Sequence, residues 1–207
     1  MEREAMHFVL IPGINGSDEH HWQSIWQAEW GPSATRISPS SWDEPELDDW
    51  CRAIDRAVDE ARSVDVVLVA HSLGCLAAIS WAARRRPNIR GAFLVAPPDP
   101  GGPNFPAVAT TFTALDPAPL EVPGLIVSSE NDPYCTTDAG IGLADAVQLD
   151  RVSAGLVGHV NSASRLGRWD FGRALLTAFV AGSVGAGSVS SPTEHPGTVT
   201  AARPLPR

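Results

Sequence analysis

Residues 64–78 constrain the fold more than any other stretch of this chain. Val66-Val67-Leu68-Val69 is a continuous, β-branched, apolar run. Such a run has no polar side to give to water, so it predicts a strand covered on both faces, as in a parallel sheet. The run ends at Ala70-His71-Ser72-Leu73-Gly74. Apolar and small residues then recur at helical spacing through Leu73, Leu76, Ala77, Ser80 and Ala83. A strand, a sharp turn with a central Ser and then a helix describe a nucleophile elbow. The turn lifts the Ser hydroxyl off the sheet and aims the first helical N–H groups at whatever that hydroxyl attacks. Ala70 stands where the usual G-x-S-x-G pattern has Gly, a departure of one methyl group. The competing reading of the same residues is an ordinary turn with Ser72 as helix N-cap.

The rest of the chain repeats the strand–helix alternation. Met6 to Ile11 is expected as the first strand, broken by Pro12-Gly13-Ile14-Asn15-Gly16-Ser17. A Gly-rich turn after a buried strand can present backbone N–H groups to an oxyanion. Trp22, Trp26 and Trp30 recur every four residues and share one helix face, with Ser17 or Asp18 as candidate cap. A Trp stripe of this kind reads as core. Glu46 to Ser63 is an amphipathic helix with Leu47, Trp50, Cys51, Ile54, Val58 and Ala61 on its apolar side. Further strands are expected at Arg36–Ser38, Gly91–Ala96, Gly124–Ser128 and Val147–Leu149. Helices are expected from the elbow to Arg86, at Thr137–Ala146 and at Ser164–Phe179. Arg84-Arg85-Arg86 suits the negative end of a helix dipole, and Pro87 stops that helix. The span Pro97–Pro119 has little helical pattern and is placed to wall a pocket. The alternation predicts an α/β domain, a mostly parallel sheet of about five to six strands with helices on both faces. It occupies residues 1–181. Residues 182–207, rich in Gly, Ser, Thr and Pro, are expected as a disordered tail.

Composition excludes several classes. The chain has 207 residues and a net charge of −9, which disfavours nucleic acid and an anionic membrane surface. All of its basic residues are Arg, so no Lys nucleophile or Schiff base exists. No apolar run approaches the ~18 residues of a membrane span. Met1-Glu2-Arg3-Glu4 lacks the basic-then-apolar start of a signal peptide, so the expected location is the cytoplasm. Cys51, Cys75 and Cys135 are odd in number and widely spaced, against a disulfide framework. His20 and His21 are adjacent and point to different sides of a helix, so no metal site is expected there.

A Ser hydroxyl needs a base, and the base needs an acid that orients it. Ser72 follows the elbow strand, Asp132 follows a strand about 60 residues later, and His159 lies in a Gly-bounded loop after the last strand. The order Ser…Asp…His is that of α/β-hydrolases. Asp99 and Glu130 are alternative acids. Asp132 is also explicable as a turn residue in Asn-Asp-Pro, and His159 as a loop His. His71 adjoins Ser72 but cannot swing onto its neighbour's hydroxyl. The oxyanion donors would be Leu73 N–H and one of Ile14 or Asn15.

Pro12-Gly13 with His21-Trp22-Gln23, His71-Ser72-Leu73-Gly74, Ala96-Pro97-Pro98-Asp99, Ser129-Glu130-Asn131-Asp132-Pro133 and Gly158-His159-Val160-Asn161 together resemble a small α/β-hydrolase family. It is the family of serine hydrolases similar to retinoblastoma-binding protein 9 and YdeN. The resemblance covers about residues 6–180. It implies a compact hydrolase without a cap domain, no metal or organic cofactor, and Ser72, Asp132 and His159 as the triad. It also implies ester or peptide-like hydrolysis. The Leu-x-Cys-x-Glu pattern associated with pocket-protein binding is missing, since Leu73-Gly74-Cys75-Leu76-Ala77 lacks the Glu. The expected activity is hydrolysis of a small-molecule ester, or less readily an amide. The alternative is a non-catalytic binding protein on a retained hydrolase scaffold. Oligomeric state has no signal in the sequence.

Overall fold

A computed structural model describes residues 6–61 and 65–186. Six strands form one fully parallel sheet: β1 (His7–Ile11), β2 (Ala34–Arg36), β3 (Val66–His71), β4 (Gly91–Val95), β5 (Gly124–Ser128) and β6 (Asp150–Ser153). Their spatial order is β2-β1-β3-β4-β5-β6, with β3 and β4 at the centre. Five helices connect or cover them: α1 (Trp22–Trp30), α2 (Leu47–Ala61), α3 (Leu73–Arg85), α4 (Thr137–Val147) and α5 (Asp170–Ala186).

Alternation along the strands divides the core in two. Val66, Leu68, Ala70, Ala92 and Leu94 pack with Trp50, Ile54, Leu76 and Val147, so α2, α3 and α4 cover one face. Val67, Val69, Phe93, Val95 and Val127 pack with Trp22, Trp26, Trp169 and Leu176, so α1 and α5 cover the other. Every residue of β3 and β4 is therefore buried, which is why their sequences are apolar without a polar period. The edge strands β2 (Ala-Thr-Arg) and β6 (Asp-Arg-Val-Ser) are polar and only partly buried.

Four sequence expectations shift. The N-cap of α1 is His21, whose side chain accepts from Gln23 N, rather than Ser17 or Asp18. β2 starts and ends about two residues earlier than expected. The last strand is Asp150–Ser153 rather than Val147–Leu149: Val147 closes α4, and Gln148 ends it in a left-handed conformation at φ 55°. The last helix is Asp170–Ala186 rather than Ser164–Phe179, and Ser162–Ser164 form a separate single turn. α5 thus runs five residues beyond 181, and the remainder of the expected tail lies outside the described residues. Among the described residues no helix is long and apolar enough to cross a membrane.

Candidate active site

Ser72 sits between β3 and α3 with φ 54° and ψ −129°, a conformation costly for any residue with a side chain. Two features of the sequence hold it there. Its N–H donates to Val95 O at 2.9 Å, fixing the turn to the central strand β4. Gly74 lets α3 approach β1, since a Cβ at that position would overlap the carbonyl oxygens of Ile11 and Pro12. Gly13 is pressed against the Ser itself: a Cβ there would lie 2.8 Å from Ser72 Cβ and 3.2 Å from its Oγ. Ala70 is fully buried one residue before His71, where its methyl group fits the core. The Ser72 hydroxyl makes no capping bond to α3, so the N-cap reading does not describe its side chain.

The hydroxyl lies 2.7 Å from His159 Nε2. His159 Nδ1 lies 2.9 and 2.8 Å from the two oxygens of Asp132. With Nδ1–H donating to the carboxylate, Nε2 is left to accept from the Ser hydroxyl. The Asp132 side chain is only 2% exposed, so its charge acts on the imidazole with little screening by water. Asp132 Oδ1 also accepts from Tyr134 N at 2.9 Å, so the Asx turn expected from Asn-Asp-Pro and the bond to His159 coexist. Neighbouring Asn131 accepts from Gly158 N at 2.8 Å, which ties the Asp132 loop to the His159 loop. The rival acids face elsewhere. Glu130 accepts from Ser153 Oγ at the sheet edge, and Asp99 accepts from Gly101 N within its own turn.

The two expected oxyanion donors on the Pro12–Ser17 turn separate cleanly. Asn15 N–H already donates to Trp42 O at 3.0 Å and is not free. Ile14 N–H and Leu73 N–H have no such partner, and both residues line the cleft that holds Ser72 and His159. Leu73 N–H is one of the unpaired donors at the start of α3.

The cleft has a volume of about 340 Å³. Pro98, Pro106 and Tyr134 line it, and the Tyr134 ring lies 4.5 Å from the His159 ring. Asp18, His21, Asn161 and Ser162 line it as well, with Ser162 Oγ donating to Asp18 Oδ1 at 2.8 Å. Pro98 and Pro106 come from the Pro97–Pro119 span.

Several contacts were not legible in the sequence. His71 is buried, and its Nε2–H donates to His159 O at 2.9 Å, anchoring the backbone of His159. Burial, followed by the nearby His21 and His159, holds His71 well below the ordinary imidazole pKa, so it is neutral. Trp22 Nε1 donates to Val160 O at 2.8 Å, so the Trp stripe also supports the His159 loop. His20 is exposed while His21 turns inward, and among the described residues no group of three His, Cys, Asp or Glu is arranged to hold a metal. Cys75 is fully buried and donates to Val95 O; burial pushes its thiol well above the ordinary pKa, which removes it as a nucleophile.

A family model described as serine hydrolase matches residues 8–178. Among solved structures, a YdeN-like hydrolase from Pectobacterium atrosepticum is 32% identical and matches with a TM-score of 0.77, over 87% of this chain and 93% of that one. The ydeN gene product of B. subtilis matches at 19% identity and a TM-score of 0.72, over 86% of this chain and 100% of that one. Est1E from Butyrivibrio proteoclasticus, solved with ferulic acid bound, matches at 16% identity and a TM-score of 0.68, over 86% and 90%. The last two likenesses speak for the fold. No curated protein matches the sequence.

Proposed function

The chain belongs to the serine hydrolase family, and on that footing we propose that it cleaves a small acyl ester, less readily an amide, through an acyl intermediate on Ser72. The observation that carries this reading is the unbroken line Asp132–His159–Ser72, with contacts of 2.8 and 2.7 Å. In this scheme Ser72 Oγ attacks the substrate carbonyl while His159 Nε2 takes its proton. Asp132 keeps the imidazole in the tautomer that can accept and stabilises the imidazolium that forms. The carbonyl oxygen gains negative charge between Leu73 N–H and Ile14 N–H, a pair of donors worth a few kcal/mol in the transition state. The tetrahedral adduct collapses, and the alcohol leaves with the proton from His159. Water then attacks the acyl carbon while giving a proton to His159; as this second adduct collapses, the Ser72 Oγ–acyl bond breaks, His159 returns the proton to Oγ, and the acid departs.

The scheme runs on side chains, backbone donors and water, without a cofactor. We place the catalytic unit within the chain up to Ala186, the last residue of α5, and the protein in the cytoplasm, where its three unpaired thiols stay reduced. The test is a panel of p-nitrophenyl esters of increasing acyl length, with matched anilides, under steady-state and burst conditions. The reading expects turnover of at least the short esters, a burst of nitrophenol, and anilides slower than esters. A binding protein on the same scaffold would show neither turnover nor burst.

A further inference from the structure

One donor in the wall of the cleft has nothing to bind. His21 Nδ1 accepts from Gln23 N at 3.2 Å and so caps α1. A ring nitrogen that accepts carries no hydrogen, so in the neutral ring the hydrogen sits on Nε2. The ring is neutral: burial lowers its pKa to about 4, against an opposing pull from Asp18. The residue is 3% exposed, yet Nε2 has no hydrogen-bond partner. A buried donor without a partner is disfavoured and needs a reason. Two other buried polar atoms share this condition, on Arg90 and Arg173, but neither residue lines the cleft, whereas His21 does. Nε2 is itself closed to water in this structure, so a substrate oxygen reaches it only when the His21 ring shifts toward the cleft that it lines.

The surroundings define what such a donor can take. Asp18 and Ser162 bond to each other beside it, and Asn161 belongs to the same loop as Ser162. No Arg lines the cleft, and the carboxylate of Asp18 opposes any anionic group. Pro98, Pro106 and Tyr134, also in the lining, offer mostly apolar surface. An uncharged oxygen is the group that fits: a hydroxyl, ether or carbonyl.

We propose that His21 is a substrate-binding residue whose Nε2–H donates to an uncharged oxygen of the substrate. The substrate class is then an ester that carries apolar groups and, on its acyl or its alcohol part, one further uncharged oxygen. This rests on the hydrolase reading given above.

Two matched pairs of esters test it: glycerol monobutyrate against propyl butyrate, and p-nitrophenyl methoxyacetate against p-nitrophenyl butyrate. The first pair places the extra oxygen on the leaving group, the second on the acyl group. Two variants separate the donor from the cap. His21→Asn keeps an oxygen in the capping position but lacks a donor at the reach of Nε2. His21→Gln keeps a donor at that reach and loses the capping geometry. In at least one pair, His21→Asn is expected to lower the kcat/KM ratio of oxygenated to plain ester by about three- to tenfold, through KM, while His21→Gln retains most of it. Unchanged ratios in His21→Asn, or equal losses on all four esters in both variants, would overturn the proposal. If the wild type turns over none of the esters and resists a fluorophosphonate, the hydrolase reading fails and this one with it. If the wild type is active but the ratios do not move, only the role of His21 fails.

Discussion

Ser72 is held at a positive φ by its neighbours, so single atoms around it decide activity and stability separately. Gly13→Ala would push a methyl group into Ser72, at 2.8 Å from its Cβ. The expected result is a folded protein whose kcat/KM falls by about tenfold or more, since small misplacements of a nucleophile are costly. Gly74→Ala would drive a methyl group into the backbone of β1, which cannot move aside. It should lower the thermal midpoint strongly or abolish soluble expression, whatever the activity assay shows. Asp132→Asn preserves shape but favours the wrong tautomer of His159. A loss of about 10³- to 10⁴-fold in kcat, with little change in stability, is expected. A loss under tenfold would mean that another acid serves His159. That Ser72, Asp132 and His159 would meet was legible because each follows a strand in a recognised order. Asn15 was not separable from Ile14, because only the fold reveals that Trp42 O occupies its N–H.

At the scale of elements, the buried strands β3 and β4 and the half-buried β5 were readable because burial on both faces leaves an apolar run. The edge strand β6 was not, because Asp-Arg-Val-Ser carries no such signal, and the apolar Val147 that suggested a strand belongs to α4. The start of α1 was misplaced for a related reason. Ser17 and Asp18 are better caps by propensity, but burial of His21 beside β3 makes its ring the cap. The joint between α1 and β3 holds two neutral histidines, His21 and His71, with ring centroids 4.7 Å apart. Both have folded pKa values below the unfolded one, so the unfolded chain binds more protons between about pH 6.5 and about pH 4. Stability is therefore full above pH 6.5 and falls as pH drops through that window. For His21 alone the span corresponds to roughly 3 kcal/mol at most. Urea unfolding at a series of pH values is the measurement. His21→Asn should flatten the slope, and an unchanged slope would refute the assignment.

For the whole molecule, the sheet brings four separate connections together at the carboxyl ends of its strands, where ligands bind in open α/β folds. The loop after β1 supplies Ile14, the elbow after β3 supplies Ser72, and the loops after β5 and β6 supply Asp132 and His159. Strand order and chain order differ, so the convergence could be expected from motif order but not measured before the fold was in hand. Residues beyond α5 supply none of these groups, and a chain ending at Ala186 should keep the kcat/KM of the full protein within about twofold. The most direct measurement of the central claim is a fluorophosphonate reaction followed by intact mass and peptide mapping. The expected result is one adduct per chain on Ser72, absent in Ser72→Ala and strongly slowed in His159→Gln. An adduct on another residue, or equal labelling of the Ser72→Ala protein, would contradict it.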